Sequence, residues 1–185
     1  MKIAVMQPYL FPYPGFFKLI KSVDKFVLYD DAKYIKGGWI NRNYFPKLFT
    51  FRLRKHSDYA KINECYFKDI EADKKRFRLF TPRFNYHIYS LFVDIMDQKY
   101  TLSHNIYLTI KAICQVLKIK TPIYLSSEIP HGKFVDGIKD IIKALSGNTY
   151  VNLPGGKKLY TQEMFGSIKL EFIETQPGPS ILCSL

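Results

Sequence analysis

A chain of 185 residues is the size of one domain with a real core, and a composition of 47% hydrophobic and 24% charged residues excludes wholesale disorder. Its 28 Lys and Arg against 16 Asp and Glu leave a net charge of +12, a field that attracts nucleic acid, an acidic membrane surface or a phosphorylated small molecule. Cys65, Cys114 and Cys183 stand far apart, which argues against a disulfide framework and a structural zinc site. With no signal peptide and no apolar run near the roughly 18 residues of a membrane span, the expected compartment is the cytoplasm.

Ile3 to Met6 is a short apolar run that reads as a buried first strand, closed by Gln7-Pro8. After a proline-rich loop from Pro8 to Gly15, a helix is predicted from Phe16. Phe17, Leu19, Ile20 and Val23 form its apolar face, with Lys18, Lys21 and Asp24 pointing outward. Phe26 to Tyr29 is a second strand. Strand, loop, helix and strand within about thirty residues make a βαβ unit and predict a parallel pair.

Lys33 to Pro46 holds Gly37-Gly38 and reads as loop, followed by strand-like runs near Thr50–Leu53 and Ile62–Phe67. A basic helix is expected from Asp69 to just before Pro82, and another from His87 to Gln98. Ser103 is the predicted N-cap of a helix with Ile106, Ile110, Ile113 and Leu117 on one face. A strand at Ile123–Leu125, a helix marked by Ile138, Ile141, Ile142 and Leu145 and stopped at Gly147, and a strand at Tyr150–Val151 follow. A short helix from Lys157 to Phe165 and a last strand at Ile168–Ile173 complete the pattern. The interleaving predicts a single α/β domain over residues 1–185, with a small, mostly parallel sheet flanked by helices.

Three stretches could carry chemistry. The first is Gln7 to Phe17, which joins the first strand to the first helix at the edge of an open sheet where ligands bind. Gly15 permits close backbone approach near a helix N-terminus, where unpaired N–H groups favour phosphate. Tyr9, Phe11 and Tyr13, stiffened by three prolines, offer flat surfaces to a base or sugar. The competing reading has these rings filling the core.

The second stretch is Asp30-Asp31 with the later Trp39-Ile40-Asn41-Arg42-Asn43. Adjacent carboxylates can hold a proton, bind Mg²⁺ or accept a sugar hydroxyl, and the Asn/Arg cluster suits a hydroxyl-rich or phosphorylated ligand. A solvated acidic turn is the plainer alternative. The third runs from Tyr150 through Gly155-Gly156-Lys157-Lys158 to Tyr160, a phosphate-tolerant turn with no Walker or dinucleotide pattern. His56, His87, His104 and His131 show no metal spacing, and no Gly-x-Ser-x-Gly elbow is present.

Several of these segments agree with one family. Ala4-Val5-Met6-Gln7-Pro8-Tyr9, Phe11-Pro12-Tyr13 and Gly15-Phe16-Phe17-Lys18-Leu19-Ile20, with Asp24-Lys25-Phe26-Val27 and Tyr29-Asp30-Asp31, resemble the start of WbqC-like proteins. Tyr34-Ile35-Lys36 and Trp39-Ile40-Asn41-Arg42-Asn43 continue the match, and Leu117 to Pro122, Ser126-Ser127-Glu128 and Leu159-Tyr160 follow in order. The C-terminus is shorter than is usual for such proteins.

The resemblance implies bacterial surface-polysaccharide biosynthesis, notably of the O-antigen of lipopolysaccharide. It implies attachment of an acyl or aminoacyl group, such as glycyl, to the amine of a nucleotide-linked amino sugar. On that reading Asp30 and Asp31 are the catalytic candidates. Gln7, Tyr9, Phe11, Tyr13, Gly15, Lys36, Trp39, Asn41, Arg42, Asn43 and Tyr160 are the substrate-binding ones. No metal is called for, and the cofactor is unknown beyond an activated donor: an activated amino acid, aminoacyl-tRNA or coenzyme A. The βαβ opening also resembles, more distantly, the nucleotidylyltransferase superfamily. Tyr13-Pro14-Gly15-Phe16 keeps that motif's glycine but lacks its histidines, so adenylyl transfer by histidine is excluded. Two other readings compete with the enzyme: a basic nucleic-acid-binding module, with tRNA as partner, and a non-catalytic sugar- or nucleotide-binding member of an assembly complex.

Overall fold

The computed structural model describes residues 1–45, 47–80 and 91–185, the side chain of Phe80 apart. In chain order its elements are β1 (Lys2–Met6), α1 (Pro14–Lys21), β2 (Lys25–Leu28), β3 (Arg42–Tyr44), β4 (Leu48–Thr50) and α2 (Ile70–Phe80). Then come α3 (Leu102–Val116), β5 (Ile123–Leu125), α4 (Phe134–Ala144), β6 (Thr149–Asn152), α5 (Gln162–Phe165) and β7 (Lys169–Phe172). The chain divides into two compact units, the first made of residues 1–7, 15–29 and 119–177 and the second of residues 8–14, 30–118 and 178–185.

The first unit is an α/β layer structure around a five-stranded parallel sheet in the order β5-β2-β1-β6-β7. Ile3, Ala4 and Val5 are all buried, as expected of a central strand covered on both faces. Alternation sends Ile3, Val5 and Val27 to the side of Ile138, Ile141 and Ile142 from α4, while Phe26 meets Phe16 of α1 with ring centroids 5.3 Å apart. Pro14 opens α1 at the position where a missing N–H costs nothing. The chain runs outward from β1 through β2 to β5, then returns to β6 on the other side of β1. The order therefore reverses between β1 and β6.

Helix α4 stops as the sequence predicts, by a mechanism the sequence does not show. The left-handed residue is Ser146, at φ 59°, and the Ser146 and Gly147 N–H groups donate to the Lys143 and Ile142 carbonyls. Gly147 is needed for close approach instead, because a Cβ there would lie 2.4 Å from Cδ1 of Ile3.

The second unit is built on rings. Phe77 of α2 lies 4.7 Å from Phe45, 4.9 Å from Phe49 and 5.4 Å from Phe51, centroid to centroid, and Phe11 stacks on it at 6.4 Å. Several sequence expectations change here. The stretch read as loop up to Pro46 contains β3, which pairs antiparallel with β4 as Arg42↔Thr50, Asn43↔Phe49 and Tyr44↔Leu48. The run Ile62–Phe67 is no strand: Ile62–Glu64 is a 3₁₀ turn, and only Tyr66 and Phe67 make single bridges, to Thr101 and Leu53. The Glu64 carboxylate takes the Lys61 N–H at 2.9 Å and curls the backbone away from a ladder.

Helix α3 is capped by Thr101, whose hydroxyl accepts from the His104 N–H at 3.2 Å. Ser103 is buried inside its first turn. The helix expected over His87 to Gln98 lies partly outside the described residues, as does the break at Pro82. Among the described residues no helix is long and apolar enough to cross a membrane.

Candidate functional site

The reversal between β1 and β6 marks the place where an open parallel sheet leaves a crevice at its carboxyl edge. Gln7 follows β1 there, and Leu153-Pro154-Gly155-Gly156-Lys157 follows β6. The turn is braced from within. Tyr150 donates its hydroxyl to the Val5 carbonyl at 3.3 Å, and the Asn152 amide donates to that hydroxyl at 3.0 Å and accepts the Leu153 N–H at 2.7 Å. A Cβ on Gly156 would come within 2.5 Å of Nδ2 of Asn152, so the bracing requires glycine. Lys157 and Lys18 converge on Glu174, the first on its carboxylate at 3.0 Å and the second on its carbonyl at 2.9 Å.

Gly15 is buried in the first turn of α1. Tyr160 packs edge-on against Tyr150 and Phe165, and burial pushes its phenol above the ordinary range. At the same carboxyl edge the structure adds a pair that sequence reasoning passed over. Tyr29, after β2, lies 5.4 Å from the His131 ring, whose Nδ1 is 2.6 Å from the Gly132 carbonyl. A carbonyl only accepts, so Nδ1 carries the proton. No local motif announces this pair, because 102 residues separate its members.

In the second unit the rigid loop 8–14 is bound to the segment around β3. Leu10 donates its N–H to the Ile40 carbonyl at 2.9 Å, and the Asn43 amide donates to the Leu10 and Phe11 carbonyls at 3.2 and 2.8 Å. Phe11 sits at φ 50°, a left-handed conformation that costs an L-residue roughly 1–2 kcal/mol. Its ring is fully buried among Phe45, Phe51 and Phe77, so it serves packing and presents no face to solvent. Tyr9 and Tyr13 are half-buried. The Tyr13 N–H donates to the Tyr9 hydroxyl at 3.4 Å, and burial raises the Tyr9 phenol far above its usual value.

Asp30 is buried, with its carbonyl accepting from the Asn63 N–H at 3.1 Å, and the Asp31 carboxylate lies 4.0 Å from the Lys61 ammonium. Tyr34 ties this segment to β3 by donating to Oδ1 of Asn41 at 2.9 Å. Asn41 in turn donates to the Phe51 carbonyl at 2.7 Å. Both asparagines thus turn their amides inward to hold backbone.

Arg42 and Tyr44 occupy the opposite face of the same short strand from Asn43. The Arg42 guanidinium lies 5.5 Å from the Trp39 ring, and Trp39 lies 5.7 Å from Tyr44. Trp39 is 50% exposed and Tyr44 46%. The Nε of Arg42 is the one buried side-chain nitrogen or oxygen among the described residues with no hydrogen-bond partner. An orphaned buried donor costs about 1–3 kcal/mol. Lys36 is exposed in the loop before Gly37.

A doubly wound parallel sheet with a glycine turn at its carboxyl edge defines an α/β protein of the kind that binds its ligand outside the strand ends. The model of the WbqC-like protein family matches residues 7–180, and the chain belongs to that family. Membership points to a role in polysaccharide biosynthesis. A protein of Mycobacterium tuberculosis named as uncharacterized protein Rv1507c is 27% identical over 186 residues, covering 91% of this chain and 79% of its own length. No solved structure matches the chain. The nucleotidylyltransferase likeness rests on the βαβ opening alone.

Proposed function

We propose that the chain transfers an acyl or aminoacyl group, such as glycyl, to the amine of a nucleotide-linked amino sugar during O-antigen assembly. The observation that carries this reading is the strand reversal between β1 and β6, with Gln7 on one side and the Gly155-Gly156 turn on the other. A nucleotide diphosphate suits such an edge. In the transfer, the sugar amine attacks the acyl carbon of the donor and a C–N bond forms. The bond to the carrier breaks with its electron pair, and the amine proton passes to a carboxylate, for which Asp31 is the candidate with Asp30 beside it. The carrier is an activated amino acid, an aminoacyl-tRNA or a coenzyme A thioester.

The test is incubation of the protein with nucleotide-linked amino sugars and each donor class, read by the mass gained by the sugar. Asp31→Asn is expected to abolish that gain while leaving the circular dichroism spectrum unchanged. Full turnover in this variant removes the assignment of the base.

A second reading has its own support. Residues 30–118 carry 17 Lys and Arg against 9 Asp and Glu. In this stretch Tyr59 is 83% exposed with the Lys33 ammonium 5.0 Å from its ring, and Arg54 lies 5.7 Å from the Tyr66 ring. Cations interleaved with rings suit single-stranded nucleic acid, whose affinity falls steeply with salt. Binding of a mixed tRNA pool near physiological salt favours aminoacyl-tRNA as donor. Its absence removes both that donor and the nucleic-acid module.

A further inference from the structure

At the carboxyl edge of the parallel sheet, two lysines from opposite sides of the strand reversal meet on one residue. Lys18 reaches from α1, which follows β1, and donates to the Glu174 carbonyl at 2.9 Å. Lys157 reaches from the turn after β6 and donates to the Glu174 carboxylate at 3.0 Å. We propose that Lys18 and Lys157 bind the diphosphate of a nucleotide-linked sugar, and that the Glu174 carboxylate is a built-in competitor which the diphosphate displaces. The inference rests on the reading of this edge as the nucleotide site. It adds the residues that hold the charge and the contact that regulates access to them.

Charge balance carries the argument. Two ammonium ions are brought to a residue with a single carboxylate, and Lys18 has no carboxylate partner among the described residues. Like charges gathered in this way repel, so the arrangement favours an anion richer in charge than one carboxylate. A diphosphate is such an anion, and its several oxygens accept from both ammonium groups at once. Lysine, a compact point charge with three donors, suits that task.

The contact is also built to be given up. The Lys157 and Glu174 side chains are 53% and 80% exposed, and an ion pair so open to water contributes little to stability. The backbone holds Glu174 in place instead. The preceding Ile173 donates its N–H at 3.1 Å to the carbonyl of Asn152, the residue whose side chain braces the glycine turn. The carboxylate can therefore swing away while the chain beneath it stays.

The turn itself leaves room for a ligand. Gly156 is required by Asn152, but a Cβ on the exposed Gly155 would have nothing within 4 Å. Nothing inside the chain calls for glycine at that position, and its bare backbone leaves an open approach for a phosphate beside Lys157.

Calorimetric titration with uridine diphosphate near physiological salt tests the proposal. Lys157→Met and Lys18→Met are each expected to weaken binding at least about tenfold. Lys158→Met is expected to change it less than about twofold. Successive residues of a 3₁₀ turn point about 120° apart, so this neighbouring charge acts only through screening solvent. Glu174→Gln is expected to tighten binding at least about threefold with Tm unchanged. Inorganic pyrophosphate should rank the variants in the same order, since the assignment concerns the diphosphate and not the base.

The proposal is overturned if uridine diphosphate does not bind, or if Glu174→Gln leaves the affinity unchanged or lowers it. It is equally overturned if Lys158→Met costs as much as Lys157→Met, the mark of a diffuse basic field, or if Glu174→Gln loses Tm, the mark of a structural latch. The acyl transfer is judged separately. A protein that binds the diphosphate through both lysines but adds no mass to an amino sugar loses the reaction and keeps the subsite. One that transfers the group equally well in all four variants keeps the reaction and loses the subsite.

Discussion

The two compact units bury their apolar surface by different means. In the first, branched aliphatic side chains from parallel strands and from α4 interleave around Ile3, Val5 and Val27. In the second, the rings of Phe11, Phe45, Phe49, Phe51 and Phe77 meet edge to face, tilted or stacked, and buried polar residues such as Asn43 and Asn105 are tied to backbone. Aliphatic layers follow from strand and helix periodicity and hold their shape by area alone. A ring cluster has few close-packed arrangements, so its shape depends on the hydrogen bonds that fix the chain around it. The sheet core of the first unit is thus a generic frame with one specific polar tie, the Tyr150–Asn152 brace of its glycine turn, and the second unit is held by specific polar ties throughout its loops.

The sharpest way to break this comparison is at Phe77, which touches four other rings. Phe77→Ala should cost about 3–5 kcal/mol in urea unfolding, because the cavity opens between α2, the hairpin and the loop 8–14 at once. A loss below about 1 kcal/mol would mean that the rings collapse freely and do not define the unit. The next largest effect is expected at Asn43. Asn43→Ala strips the donor from the Leu10 and Phe11 carbonyls and the acceptor from the Tyr44 N–H. The expected cost is about 2–3 kcal/mol, with faster proteolysis in the loop that carries the left-handed Phe11. An unchanged unfolding midpoint would show that the loop is held by its prolines and needs no tie.

The same contrast explains which parts could be read from the sequence. Ile3–Met6, Phe26–Tyr29, Ile123–Leu125 and the Ile138–Leu145 face were recognisable because apolar spacing in a layered sheet has a strong period. The hairpin was not, because Arg42-Asn43-Tyr44 buries its polar member and leaves its aromatic one outside, the reverse of the usual alternation. Without the hairpin, Asn41, Arg42 and Asn43 looked like one polar cluster. Only the strand shows that the asparagines hold backbone while Arg42 faces the other way. Phe11 was misread for a related reason: its residue type suits a ligand surface, but a positive φ turns its ring into the core. The Tyr29–His131 contact depends on parallel pairing of β2 with β5, which no local pattern reveals.

The smallest effect belongs to the aliphatic unit and tests how generic its frame is. Ser146 ends α4 in a left-handed conformation with a side chain that costs roughly 1–2 kcal/mol there. Both N–H groups that close the helix, those of Ser146 and Gly147, come from the backbone, so the Ser146 side chain is not needed for the cap. Ser146→Gly removes the steric cost and adds back about 0.5–1 kcal/mol of unfolded-chain entropy. The net expectation is a stabilisation of about 0.5–1 kcal/mol, read as a higher urea midpoint at unchanged slope. A destabilised variant would show that the seryl group makes a tie of its own and that α4 relies on a specific polar bond at its C-terminal end.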